Sequence, residues 1–260
     1  MNEPCRAFTT TAEFGVIQCP AILYKYLDSD GAKAFLKKPQ IRFSDWRKLD
    51  DVMEVIPGCR IMTEPEILEV ANRQSVQTGL SITDCSLMLR GISKFAASKP
   101  GGWERELRKL HEDQPGMIFI CSMSERYDSG AMWAAYAEQH TGIVFGLSSA
   151  LIAQRTNAWP SPVRYAQKRP QMPFPVIDLK VLNEALVTKS TDWDFQKEWR
   201  LIADNNSTVI LQPSDVLEVI VGYRGHAEIV ELAKLKKAAG VKIFQAYPDL
   251  ELHRLARVEI

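Results

Sequence analysis

The order of predicted elements along the chain is the feature that most constrains its fold. Before residue 116, the pattern predicts a short strand at 22–26, a helix at 30–37 and a second short strand at 40–44. Helical patterns follow at 64–73, 84–97 and 103–111. From residue 116 onward, strands dominate, at 116–122, 142–147, 199–203, 208–211, 217–222 and 241–246, with helices at 129–139, 182–189 and 228–239. This order lacks regular strand–helix alternation and therefore predicts an α+β fold with mixed or antiparallel sheets and surrounding helices.

Length and composition are those of a globular protein. The 260 residues are 46% hydrophobic, which is enough to bury a core without disulfides or metals. We expect an N-terminal arm at 1–20 and a single α+β domain at 21–260. Lys plus Arg equals Asp plus Glu, at 32 each, so the charge balance gives no strong signal for nucleic acid.

The cysteine pattern and the hydropathy predict a cellular location. The five cysteines form no CxxC pair, and no signal peptide precedes them. Reduced thiols in the cytoplasm, or in a target cell entered without a signal peptide, fit this pattern best. No apolar run approaches the roughly 20 residues that a membrane span needs, so we expect no membrane partner.

Several well-defined catalytic motifs are missing from the sequence. It contains neither GxGxxG nor GxxxxGK[ST], and no GxSxG elbow occurs. The four histidines are far apart, so no metal site is predicted. Cys121 lies in an apolar run and is expected to be a buried, inert thiol.

A polar row in the block 193–200 is the strongest functional signal. If this block enters a strand, Gln196, Glu198 and Arg200 point to the same face. Burying three polar groups is costly unless each finds a partner. An ion pair between Glu198 and Arg200, or a row that faces a ligand, would both satisfy this requirement.

Two aromatic residues on the predicted helix 129–139 fit either a structural or a functional role. Trp133 and Tyr136 are three residues apart and share one helix face. They fit a buried core position, since large aromatic rings contribute mainly through burial. They also fit a ring platform beside a pocket.

Several blocks of the chain resemble DUF2971, a bacterial family of uncharacterised proteins. The matching stretches are 23–26 (LYKY), 42–44 (RFS), 129–147 (SGAMWAAYAEQHTGIVFGL), and 189–193 with 198–200 (KSTDW and EWR). The family's loop after the second strand reads close to FNDPF. Here it reads LDDVM at 49–53, with the Asn and Pro replaced.

The arrangement is also similar to the ADP-ribosyltransferase fold. That fold carries a basic residue or His on its first strand, a Ser or Thr motif on the next strand, and a late Q/E-x-E motif. The corresponding positions are Lys25 or Tyr26, Ser44, and Gln196 with Glu198. The resemblance implies that Glu198 holds a ribose hydroxyl of NAD and stabilises the positive charge that develops as nicotinamide leaves.

The resemblance therefore implies an NAD-dependent ADP-ribosyltransferase-like enzyme or an NAD glycohydrolase. NAD would be a substrate, and the partner would be a macromolecular acceptor that the sequence leaves open. Glu198 and Gln196 are the predicted catalytic residues. The predicted cofactor-binding residues are Tyr24, Lys25, Tyr26, Ser44, Trp133, Tyr136 and Arg200.

Two other functional classes fit the residues. In a non-catalytic binding or interaction module, Lys189, Trp193, Glu198 and Arg200 would form a structural network. In a metal-dependent nuclease, Asp50, Asp51, Glu198 and Lys189 would form an acidic Mg²⁺ site, although the order E-x-K is absent.

Overall fold

The chain divides into two compact units. A computed structural model describes residues 9–12, 15–98, 101, 118–176, 178–204 and 208–260. The first unit takes residues 1–48, 118–163 and 192–260, and the second takes 49–117 and 164–191. The expected arm at 1–20 and single domain at 21–260 stay a prediction, because compact units can belong to one domain.

The described strands and helices have the following bounds. The strands are β1 (Thr9–Ala12), β2 (Gly15–Gln18), β3 (Ile22–Leu27), β4 (Gln40–Arg42), β5 (Ser44–Asp45), β6 (Gly58–Arg60), β7 (Phe119–Ser124), β8 (Ile143–Ser148), β9 (Ser161–Pro162), β10 (Arg164–Tyr165), β11 (Gln171–Pro173), β12 (Thr188–Lys189), β13 (Glu198–Ala203), β14 (Thr208–Ile210), β15 (Val216–Val221), β16 (Lys242–Pro248) and β17 (Leu255–Glu259). The α-helices are α1 (Ser29–Lys37), α2 (Glu64–Thr78), α3 (Ile82–Ser98), α4 (Gly130–Tyr136), α5 (Ser149–Thr156), α6 (Leu179–Leu186) and α7 (Ala227–Lys234). Short 3₁₀ helices lie at Trp46–Lys48, Thr191–Gln196, Pro213–Asp215 and Leu235–Ala239.

A nine-stranded sheet organises the described part of the first unit. Its strand order is β17-β16-β15-β8-β3-β7-β13-β9, and β5 also pairs with β7. β15 and β16 run parallel, whereas the other neighbours are antiparallel. This mixed sheet together with its helices confirms the predicted α+β class.

The two faces of the sheet bury different kinds of side chain. One face is apolar: Leu23, Phe145 and Leu201 belong to a large core cluster that also includes residues of α1, α5 and α7. The opposite face carries an aromatic cluster in which Tyr24 and Trp133 are buried. Because side chains alternate along a strand, neighbouring residues of β3 contribute to different faces. The aromatic face also carries the buried polar residues considered below.

Helix α4 is shorter than the sequence predicts. The pattern at 129–139 favours one helix, but α4 ends at Tyr136. Glu138, Gln139 and His140 have φ angles of 46°, 52° and 75°, so three consecutive residues are left-handed. This conformation is costly for L-residues, and backbone bonds hold it in place, including His140 N–H to the Trp133 carbonyl at 3.3 Å.

The second unit contains the helix pair α2–α3 and two short parallel strand pairs. Buried residues of the helix pair form a core cluster that includes Ile67, Ala71 and Leu89. Strand β6 pairs with β11, and β10 pairs with β12. Helix α2 begins after Thr63, which forms a capping box with Glu66.

Two other sequence predictions fall on residues outside the described part of the chain. The Asn-Asn pair at 205–206, between the strands predicted at 199–203 and 208–211, predicts a hairpin turn. This pair lies outside the described residues, and β14 pairs with β4. The predicted helix at 103–111 also lies outside them. Among the helices of the described segments, none is long and apolar enough to cross a membrane.

Candidate functional site

Three adjacent strands align a row of polar side chains on the aromatic face of the sheet. In register, Ser124 of β7 lies opposite Tyr24 of β3 on one side and opposite Glu198 of β13 on the other. Residues opposite each other in an antiparallel pair point to the same face. Tyr24, Ser124 and Glu198 therefore form one row across β3, β7 and β13.

Glu198 and Arg200 form an ion pair within β13. Arg200 Nε donates to Glu198 Oε1 at 2.8 Å, and its Nη2 donates to Oε2 at 3.2 Å. Glu198 is 4% exposed and Arg200 is 0% exposed. Positions i and i+2 of a strand share a face, which allows this two-bond geometry. Of the two arrangements that the sequence allowed for this row, the structure contains the ion pair.

Gln196 lies outside the strand, which corrects the prediction that it shares a strand face with Glu198. The 3₁₀ helix Thr191–Gln196 precedes β13, and Lys197 has a left-handed φ of 43° that breaks the extended conformation. Gln196 Nε2 donates to the Tyr136 hydroxyl at 2.7 Å. The Ser124 hydroxyl donates to the Gln196 carbonyl at 2.6 Å. Ser124 thus braces the residues that lead into Glu198.

Tyr24 also binds a buried carboxylate that the sequence analysis missed. Its hydroxyl donates to Glu218 Oε1 at 2.9 Å, and Arg257 contacts the same oxygen. Gly146 lies between them in register, and a Cβ there would come within 2.9 Å of Glu218 Cγ and 3.1 Å of Tyr24 Cε1. Burial, together with the charge of Glu218, raises the pKa of Tyr24.

Cationic and aromatic groups surround this second carboxylate. The guanidinium carbon of Arg257 lies 4.3 Å from the centroid of the Tyr127 ring and 4.4 Å from that of Phe244. An acid inside the apolar run of 216–221 is the signal that could have identified Glu218, because a buried acid requires a partner. Nothing in the sequence pattern pointed to Arg257.

Trp133 and Tyr26 are core residues of the aromatic face. Trp133 is 0% exposed, and its ring lies edge-on to Tyr26 with centroids 5.7 Å apart. Trp133 Nε1 donates to the Tyr127 carbonyl at 2.6 Å, and the Tyr26 hydroxyl donates to the Arg126 carbonyl at 2.9 Å. Tyr136 is half-buried and contacts Gln196. Of the pair predicted on α4, Tyr136 is therefore the one next to the polar row.

The structure does not bring Lys25 and Ser44 to the polar row. Lys25 points to the opposite face, and its Nζ donates to the Ser122 carbonyl at 2.7 Å. Ser44 shares the face but pairs with Ile120, four residues along β7 from Ser124. That separation amounts to roughly 13 Å along the strand. Ser124 holds the position next to Glu198 that the sequence analysis gave to Ser44.

Cys121 and the His, Cys, Asp and Glu side chains of the described ranges show neither a reactive thiol environment nor a metal-binding cluster. Cys121 is fully buried in β7, and burial raises the pKa of its thiol, which agrees with the expected inert thiol. Over the described ranges of the chain, no group of three or more His, Cys, Asp or Glu side chains could hold a metal ion.

Comparison with known proteins gives one match. Residues 132–201 match the family described as "Protein of unknown function (DUF2971)". The match includes most of α4, all of β8 and the first residues of β13, and it confirms the resemblance to this family over those residues. No curated protein and no solved structure matches the chain significantly.

Proposed function

We propose that this chain, whose residues 132–201 match DUF2971, is an NAD-dependent ADP-ribosyltransferase-like enzyme or an NAD glycohydrolase. One observation carries the proposal. Tyr24, Ser124 and Glu198 lie in register on three adjacent strands and on one face. The ADP-ribosyltransferase resemblance implies a basic residue or His on the first strand, a Ser or Thr on the next strand and a late glutamate. In this proposal Tyr24 and Ser124 stand in place of the predicted Lys25 or Tyr26 and Ser44, and Glu198 is the late glutamate.

The proposed chemistry begins with loss of nicotinamide from NAD. The bond between the ribose carbon and the nicotinamide nitrogen breaks, and nicotinamide leaves with the bonding electron pair. Positive charge develops on the ribose, and the Glu198 carboxylate stabilises it. An acceptor nucleophile, or water in a glycohydrolase, then bonds to that carbon and loses a proton.

Neighbouring residues have supporting roles in this proposal. Arg200 holds the Glu198 side chain through two hydrogen bonds, and Ser124 braces the preceding backbone. In this proposal the half-buried ring of Tyr136, whose hydroxyl accepts a hydrogen bond from Gln196, lies against the nicotinamide or the adenine. Lys25 has no role here, because it points to the other face.

The test measures nicotinamide release from NAD and transfer of labelled ADP-ribose to proteins of a cell lysate. We expect Glu198→Gln to lower both by at least about 100-fold, because one transition-state contact of this kind has an effect of that size. Equal NAD loss and equal labelling by the wild type and by Glu198→Gln would contradict the proposal.

The matched control is Asp215→Asn. Asp215 is also a fully buried carboxylate of the first unit, and it pairs with Arg155, with Nη2 and Oδ1 3.0 Å apart. It lies outside the polar row, so the variant shares the expected loss of stability but should keep the activity. Circular dichroism establishes that each variant is folded at the assay temperature.

A second candidate is a non-catalytic binding module, and the burial of the ion pair favours it. Glu198 is only 4% exposed and Arg200 is fully buried, which fits a structural pair. In this case calorimetry would detect a bound small molecule, while no nicotinamide would be released from NAD and Glu198→Gln would lower only the stability.

A further inference from the structure

The second unit contains a cavity that the proposed function does not use. It has a volume of about 460 Å³, within the range of small-molecule sites. Its walls come from three segments, at 51–56, 166–171 and 185–190. The first segment overlaps the loop that departs from the family's FNDPF pattern, and the third contains the family-matching Lys189.

A buried ion pair forms part of the cavity wall. Lys189 Nζ lies 3.3 Å from Glu54 Oε1, and the two side chains are 7% and 2% exposed. The pairing of β10 with β12 fixes the Lys189 backbone, since Ala166 N–H donates to the Lys189 carbonyl at 2.9 Å. Burying two charges is expensive unless they are paired, and Lys189 and Glu54 pair with each other in the cavity wall.

The loop at 51–56 is strained where it lines the cavity. Val55 is buried and has a φ of 69°, an outlier for a β-branched residue. A turn precedes it, in which Met53 N–H donates to Asp51 Oδ1 at 2.9 Å. Strain of this kind occurs preferentially at ligand clamps and active sites.

The charges of the lining residues indicate the class of ligand. Lys168, Arg169 and Lys189 contribute positive charge, while Asp51 and Glu54 contribute negative charge. The lining therefore has three positive side chains and two negative ones, and Glu54 pairs with Lys189. Two of the positive side chains, Lys168 and Arg169, belong to the 166–171 segment, and apolar side chains such as Val55 provide the remaining wall.

We propose that this cavity binds a small organic anion that has an apolar body. The acidic group contacts Lys168 and Arg169, and the apolar body lies against the loop at 51–56. The proposal does not depend on NAD chemistry, since it concerns other residues in another unit of the chain.

The test uses two probes of the same shape and different charge, titrated into the full-length chain. 8-Anilinonaphthalene-1-sulfonate carries a sulfonate, and N-phenyl-1-naphthylamine is its neutral counterpart. We expect one sulfonate-probe site per chain by calorimetry. The double variant Lys168→Gln/Arg169→Gln should weaken the sulfonate probe at least about tenfold, because charge-assisted hydrogen bonds are lost. It should leave the neutral probe unchanged.

Two further variants test whether the binding depends on the charges and the space of this cavity. Lys237→Gln/Lys242→Gln removes two exposed lysines of the first unit, and it should bind both probes as the wild type does. Ala166→Trp places a ring in the cavity and should weaken both probes. The proposal is overturned if neither probe binds, if both double variants affect the sulfonate probe equally, or if Ala166→Trp changes neither affinity.

Discussion

The ion pair between Glu198 and Arg200 allows a quantitative test of what stabilises the sheet. Arg200 is fully buried and donates two hydrogen bonds to Glu198. Removing one partner of such a pair leaves a buried charge and costs about 3–5 kcal/mol. Replacing both with uncharged residues of similar size removes that penalty, so the double variant should cost less than about 4 kcal/mol. A thermodynamic cycle should therefore give a coupling energy of at least about 2 kcal/mol between the two residues.

Urea unfolding at neutral pH measures this cycle. The variants are Glu198→Gln, Arg200→Met and the double variant, and circular dichroism reports unfolding. The Asp215–Arg155 pair is the comparison, because the Arg155 side chain is 32% exposed whereas that of Arg200 is 0% exposed. Its coupling energy should be smaller. The reasoning is refuted if the Glu198 and Arg200 effects are additive, or if each single variant costs less than about 1 kcal/mol.

Two other predictions concern backbone packing and pH. Gly142→Ala should lower the free energy of unfolding, measured in urea, by about 3 kcal/mol, because the new Cβ would lie 1.9 Å from the Leu27 carbonyl oxygen. The control is Gly91→Ala, whose Cβ would have nothing within 4 Å and which should not destabilise the protein. Hydrogen bonds from Arg60 lower the pKa of Glu66 to about 2 from 4.5. The stability that wild type has over Glu66→Gln should therefore be fully present above pH 4.5 and be lost as the pH falls towards 2. If the stability difference between the wild type and Glu66→Gln did not change with pH over this range, the lowered pKa of Glu66 would be contradicted.

The sequence predicted the strands of the central sheet more accurately than it predicted their partners. Apolar runs and alternation indicated β3, β7, β8, β13 and β15 to within a few residues, because both patterns reflect local burial. Pairing depends on contacts between distant segments. β14 therefore pairs with β4, although a turn at 205–206 favoured a hairpin with β13.

The candidate site was predictable only where it depends on local sequence and not on which strands pair. The shared face of Glu198 and Arg200 follows from strand alternation within one short segment. The serine next to Glu198 depends on which strand neighbours β13, so Ser124 could not be distinguished from Ser44. Lys197 has a left-handed φ, which moves Gln196 off the strand. This conformation is unusual for a lysine, and no local sequence pattern predicted it.

The path of the chain through the nine-stranded sheet sets a minimum delay on its assembly during synthesis. β3 pairs with β8, and the two strands are separated by roughly 115 residues that include a large part of the second unit. At translation rates of 5–20 residues per second, β3 emerges about 6–23 s before β8 can pair with it. During that interval Tyr24 and the other side chains of β3 lack the neighbours that β8 and later strands provide. A ribosome-bound nascent chain that ends just before β8 should therefore bind chaperones more strongly than one extended beyond β13.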